Sequence, residues 1–217
     1  MSTSALENQL CSVTLLGNLV AKPDIRYLTN PVVAVTDIVL ATNSKWLDKA
    51  SNSYKEWTSF HHVRVVGALV EETLLYANKG DVLLVHGTLI NNKTSPKELV
   101  NASFIQTFDK GYIQAINQIH CSGILLDPVQ CVLTKQNKEF AQVRISITYQ
   151  AYSASKQKFQ KLTIERQLHF WGKQARYISE HSKVGDNLVI EGKLNYLSTV
   201  DKSQFIHGTK VQLIKKQ

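Results

Sequence analysis

The sequence predicts an all-β protein of two tandem five-stranded barrels, each with one short helix between its third and fourth strands. Three observations predict it. First, the stretch Thr58–Leu89 recurs as Thr163–Leu194: Gly67/Gly172, Gly80/Gly185, Asp81/Asp186, Gly87/Gly192 and Leu89/Leu194 are all 105 residues apart, and a fixed period means two copies of one module. Second, runs rich in Val, Ile and Thr alternate with polar residues at period two. Third, one stretch per copy switches to helical period between two such runs. The modules are 1–112 and 113–217, each long enough for one core.

In the first module, Leu10–Leu16 alternates as a strand closed by Gly17. Pro23 and Asn30-Pro31 punctuate the next stretch, and Val32–Thr42 reads as the second strand. Residues 43–57, NSKWLDKASNSYKEW, suit a protruding hairpin loop. Thr58–Val66 is the third strand: His61, Val63 and Val65 face the core, while Phe60, His62, Arg64 and Val66 face out. Residues 68–78 form the helix, with Val70, Leu74 and Ala77 inward, and Gly80 supplies the left-handed turn that ends it. Val82–Val85 and Val100–Phe108 complete the barrel. The second module repeats this with Ile119–Leu126, a strand around Val143–Ile147, the loop Tyr152–Leu162, a third strand and the closing Gln204–Ile214. In its third strand Ile164, Leu168 and Phe170 face in; Glu165, Gln167, His169 and Trp171 face out. Arg166 has inward parity. Five strands with a helix between the third and fourth is the order of an OB barrel.

Composition excludes several classes. No apolar run approaches the length of a membrane span, and MSTSALENQL lacks a secretory signal, so a cytoplasmic protein is expected. The three cysteines have no CxxC spacing, which argues against zinc or a disulfide framework. HExxH, GxSxG and GxxxxGK[ST] are absent, and adjacent His61 and His62 point to opposite faces, so neither an enzyme, a metal site nor a cofactor is expected. Residues 1–112 hold ten Lys/Arg and ten Asp/Glu; residues 113–217 hold 25 − 10 = 15 and 17 − 10 = 7, so the whole +8 lies in the second module. A basic module points to a polyanion, or to a solvated surface kept for solubility.

The candidate binding residues combine rings and cations. Trp171 and Phe60 have outward parity and suit stacking on a nucleobase; a protein interface is the competing reading. Trp46 lies between Lys45 and Lys49 in a polar loop, an interleaving that suits single-strand binding. Tyr54 and Phe159 occupy equal places in the two hairpins and fit either tip contact or hairpin packing. Trp57, of opposite parity to Phe60, is expected to pack at the hairpin base. Lys55 and Arg64 in the first module, and Lys156, Lys158, Lys161 and Lys173 in the second, are the candidate phosphate contacts.

The segments Val13–Leu19, Pro23–Tyr27, Leu40–Thr42, Lys55-Glu56 with Thr58, and Tyr76–Asp81 leading to Gly87–Leu89 resemble the bacterial single-stranded DNA-binding protein family. The resemblance covers roughly residues 8–108; the second module shares mainly the glycine spacing and Trp171-Gly172. It implies OB folds that bind single-stranded DNA with little sequence preference, in replication, recombination or repair, and a homodimer assembling four OB folds. It places stacking aromatics at Trp46, Phe60 and Trp171. Val66 and Glu165 stand where the family has aromatics, and none follows Leu89. The family's acidic tail ending in Pro-Phe is absent, which calls tail-mediated recruitment of replication proteins into question. An accessory factor of primosomes or mobile elements, acting through protein partners, is the alternative. Stacking and phosphate contacts suit RNA as well as DNA.

Overall fold

The computed structural model describes residues 8–48, 51–92, 98–111, 113–153, 156–197 and 203–214. The chain divides into two compact units, one built on residues 13–117 and one on the later residues, and each is an OB barrel.

The first barrel contains β1 (Cys11–Leu19), β2 (Arg26–Leu28), β3 (Val33–Asp48), β4 (Ser53–Val66), a one-turn π-helix (Val70–Leu74), β5 (Val82–Asn91) and β6 (Glu98–Phe108). Its strands run in the order β2-β3-β4-β6-β5-β1. The sheet closes because β1 pairs with β3 as well as with β5, through Asn18↔Ala41 and Leu19↔Leu40. All its ladders are antiparallel except β4–β6. Leu15, Leu40, Val63, Val65, Leu83, Val85 and Leu89 are fully buried inside. Each contributes about 1.5–3 kcal/mol by leaving water.

The second barrel repeats the plan with β7 (Ile116–Leu125), β8 (Cys131–Leu133), β9 (Glu139–Ser153), β10 (Lys158–Trp171), α1 (Lys173–His181), β11 (Asn187–Tyr196) and β12 (Gln204–Ile214). Its order is β8-β9-β10-β12-β11-β7, and β7 closes on β9 through Ile124↔Ser146 and Leu125↔Ile145. Residues 8–12 belong to this second unit: Gln9 N donates to the Thr148 carbonyl at 2.7 Å and Ser122 N to the Leu10 carbonyl at 2.9 Å.

The repeated glycines have a common cause. β5 and β11 each carry a bulge, between His86 and Gly87 and between Glu191 and Gly192. A Cβ on Gly87 would stand 2.3 Å from the Asn101 carbonyl oxygen, and one on Gly192 2.5 Å from that of His207. The backbones approach too closely there for any side chain.

The sequence expectations need correction in five places. Each barrel has a sixth, short strand at its edge, β2 or β8. Gly17 does not close the first strand; it lies within β1, where a Cβ would meet the Ala41 carbonyl oxygen at 2.5 Å. The expected helix over 68–78 begins at 68 as expected but ends at Leu74, residues 68–69 being α-helical and Val70–Leu74 a π turn, although Val70, Leu74 and Ala77 are all buried as its period required. Residues 43–57 are largely not a loop: β3 and β4 stay paired out to Asp48↔Ser53. The stretch 152–162 is likewise strand out to Ser153↔Lys158. Polar composition marks exposure here, not irregular backbone.

Candidate nucleic-acid interface

Register decides which side chains can act together, because residues paired across an antiparallel ladder share a face. In β3–β4, Ala41 pairs with Phe60, Lys45 with Glu56, and Leu47 with Tyr54. Phe60, Arg64, Tyr54 and Lys45 therefore share the face opposite the buried Ser59, His61, Val63 and Val65. Phe60 and Tyr54 are 51% and 68% exposed. Trp46 pairs with Lys55, and Ser44 with Trp57. These four continue the core-side parity out along the arm, beyond the part that the barrel covers. Trp46 and Phe60, both assigned to stacking by resemblance, thus lie on opposite faces of one ribbon. Trp57 does not pack at the hairpin base; it is 62% exposed, because the arm projects past any element that could cover it.

The first module's predicted cations are already paired. Arg64 donates from Nε and Nη2 to the two Asp37 carboxylate oxygens at 2.8 and 2.9 Å, and from Nη1 to Asn92 Oδ1 at 3.3 Å. The Asp37 hydrogen bond raises the guanidinium pKa above its ordinary value. Lys45 Nζ stands 3.2 Å from Glu56 Oε1 and 5.2 Å from the Tyr54 ring centre. Lys55 pairs with Asp48. Lys49 lies outside the described residues. Exposed pairs of this kind add only about 0–1 kcal/mol to stability, but each carboxylate cancels charge that a phosphate would otherwise meet.

The second module is arranged differently. In β9–β10, Phe159 pairs with Tyr152, Lys161 with Gln150, Glu165 with Ser146, Gln167 with Arg144, and Trp171 with Phe140. These residues share one outer face with rings at both ends. Tyr152 and Phe159 meet edge-to-face with centroids 5.4 Å apart. Trp171 leans on Phe140 at 4.6 Å and 44°, and is 41% exposed. Between the two ring pairs, Arg144 donates to Asp127 at 2.9 and 3.0 Å and to Glu165 at 3.2 Å. Trp171 also walls an open cleft of about 670 Å³, shared with Leu133, Lys138, Glu139 and Arg176. Arg176 Nε donates there to Glu139 Oε1 at 2.8 Å.

The lysines of this module do not gather on that face. Lys161 lies on it, Lys158 has the opposite parity, Lys156 is in the turn, and Lys173 begins α1 at the far end of β10. All four are exposed, and Lys156, Lys158 and Lys173 have no carboxylate partner among the described residues. Arg166, inward by parity, is buried and donates to Gln204 Oε1 at 3.2 Å and to the Glu165 carbonyl at 2.8 Å.

His169 overturns its expected outward position. The closing strand β12 runs beside β10 and brings Phe205 against it. The two rings stack at 4.0 Å, and Phe140 meets His169 edge-on at 5.2 Å. Burial first, and then the charge of neighbouring His207, lower the His169 pKa. Phe140 and Tyr152 escaped sequence reading because β9 extends past the Val143–Ile147 core at both ends. Period-two counting from Val143 back to Ala141, or the 105 offset from Leu47 to Tyr152, would have found them.

Residues 10–105 match the pattern that defines the single-strand binding protein family. Among solved structures, a deletion variant of the single-stranded DNA binding protein from Thermus aquaticus is 24% identical with a TM-score of 0.76, over 97% of this chain and 97% of that one. The wild-type Thermus aquaticus protein is also 24% identical with a TM-score of 0.75, over 97% and 95% of the two chains. At this identity the likeness is one of fold, and it extends through both modules.

Proposed function

We propose that this chain binds single-stranded DNA with little base preference and without catalysis, a reading supported by the match of residues 10–105 to the single-strand binding protein family. The observation that carries the reading is the outer face of β9–β10. Two ring pairs, Trp171–Phe140 and Phe159–Tyr152, stand at its ends; Trp171, Phe159 and Tyr152 are exposed, Phe140 is half-buried, and Lys161 lies on the same face. Every base has a π-face, so rings of this kind accept any sequence at ~1–3 kcal/mol per stacked base. Lysine–phosphate contacts add a salt-dependent term that also ignores sequence. Arg64, Lys45 and Lys55 would join only by exchanging a carboxylate for a phosphate.

Two chains assembling four barrels, as the family resemblance implies, is part of the same reading. Oligo-dT titrated into the protein should quench tryptophan emission, and rising salt should weaken the complex steeply. Sedimentation should give twice the chain mass. Absence of both quenching and retention on single-stranded DNA would defeat the proposal. Equal affinity for duplex would defeat it too.

A further inference from the structure

The β3–β4 arm carries a pair of rings on the face turned away from Phe60 and Tyr54. Trp57 is directly opposite Ser44, and Trp46 is directly opposite Lys55, in the same ladder. Two steps along one strand return to the same face, so Trp46 and Trp57 are diagonal neighbours about 7–8 Å apart at the backbone. They are 45% and 62% exposed. We propose that Trp46 and Trp57 form a second nucleobase-stacking site, on the opposite face of the arm from Phe60, so that single-stranded DNA contacts both faces of this ribbon. This rests on the single-strand binding read from the family and from β9–β10.

Nucleic acid is favoured over a protein partner by what surrounds the rings. The same face otherwise holds Ser44, Ser53 and the Lys55–Asp48 ion pair, and Ser51 Oγ donates to Asp48 Oδ2 at 2.9 Å. Protein interfaces seat their rings in a core depleted of charge; here two rings stand among serines and a Lys55–Asp48 ion pair, polar and charged surroundings of the kind in which single-strand sites present their rings. The site also continues a candidate interface, since Lys45 and Tyr54 lie on the other side of the same narrow ribbon. The second module has no counterpart. At the offset of 105, Ala151 and Leu162 replace Trp46 and Trp57.

The chain has three tryptophans, so Trp46→Phe with Trp171→Phe leaves Trp57 as the only reporter while keeping a ring at each position. Labelled oligo-dT would be titrated into this variant, with anisotropy reporting binding and emission reporting Trp57. Quenching of Trp57 in step with anisotropy is expected. In the otherwise unaltered chain, Trp57→Ala should weaken binding about tenfold and Trp57→Tyr should recover most of it. Saturating anisotropy with unchanged Trp57 emission, or wild-type affinity in Trp57→Ala, sinks the second site and leaves the parent reading standing. A Trp57 emission that shifts blue with protein concentration and ignores DNA also overturns it, by showing a contact between copies. No anisotropy change with the wild-type chain overturns both readings.

Discussion

The two barrels share their joints and differ in their surfaces. Thr58 Oγ1 donates to Asn43 Oδ1 at 2.7 Å, and 105 residues later the Thr148 and Thr163 hydroxyls meet at 3.0 Å. Gly80 N donates to the Leu19 carbonyl at 2.8 Å, and Gly185 N to that of Leu125 at 2.9 Å. Asp81 and Asp186 each cap the turn before them, accepting from Asn78 N at 2.7 Å and Lys183 N at 3.0 Å. Against this constancy, Phe60 answers to Glu165, Val66 to Trp171, Glu56 to Lys161 and buried His61 to buried Arg166. Closure of a small barrel is a backbone problem with few solutions, so its residues repeat. Which ring or charge rides on the closed ladder is not constrained by closure, and there the modules part. The first has rings on both faces of its arm and ion-paired cations; the second gathers the rings of its β9–β10 ladder on one face, and among the described residues Lys156, Lys158 and Lys173 have no carboxylate partner.

The largest expected difference is in acid. His61 is buried, its Nε2 lies 2.8 Å from Thr42 Oγ1, and burial followed by the charge of His62 lowers its pKa to about 3. The folded state keeps it neutral while the unfolded chain takes up a proton below its ordinary pKa of about 6.5. Stability of the first module therefore falls as pH drops from about 6.5 towards 3, by ~1.4 kcal/mol per unit and roughly 5 kcal/mol in all. In the second module burial lowers the pKa of His169 and His207 as well, so its stability falls with acid in the same direction, and the contrast lies in how far His61 is lowered. Denaturant unfolding at stepped pH should show the loss, and His61→Gln should flatten it. A slope unchanged by His61→Gln would break the contrast.

Next in size are the bulge glycines, which should behave alike. Gly87→Ala and Gly192→Ala each force a Cβ against a carbonyl oxygen, and each should cost about 3 kcal/mol by denaturant midpoint. A large cost at one site only would mean that the shared joint is not shared in energy.

Stacking comes third. Trp171→Ala should weaken oligo-dT binding by ~1–3 kcal/mol, and Phe60→Ala by a similar amount. Glu165→Trp restores a ring at the second module's counterpart of Phe60 and should tighten binding. An unaltered affinity in Trp171→Ala would remove the reason for ranking the β9–β10 face first.

The barrels were legible because repetition and period two are properties of the chain itself. Gly87 and Gly192 marked the repeat, though not the bulges they sit on, and the parity of Thr58–Val66 put His61, Val63 and Val65 inside. The candidate surface was legible only in part. Parity predicts which way a residue points, not whether anything stands there. Trp57 has core-side parity but lies beyond the core, so it is bare. His169 has outward parity but meets Phe205 from β12, so it is covered. Both errors come from neighbours, present or missing, that lie far away in sequence. Ion pairing was hidden for the same reason: Arg64 reads as a cation until the ladder places Asp37 opposite it.

The smallest effect tests charge alone. If lysines without a carboxylate partner meet phosphates, neutralising one of them should flatten the log–log salt dependence of single-strand binding by about 0.7. Lys158→Gln should do so. Lys55→Gln should do less, because Asp48 already neutralises Lys55 and a phosphate must first displace it. The sharper variant runs the other way. Glu56 holds Lys45 at 3.2 Å, whereas its counterpart in the second module is Lys161. Glu56→Gln should release Lys45, raise affinity at low salt and steepen the slope by up to about 0.7. The gain should vanish in high salt, where screening removes it. Lys55→Gln matching Lys158→Gln, together with a silent Glu56→Gln, would mean that the first module's ion pairs dissolve on binding and that its charge balance of zero hides an equally cationic site.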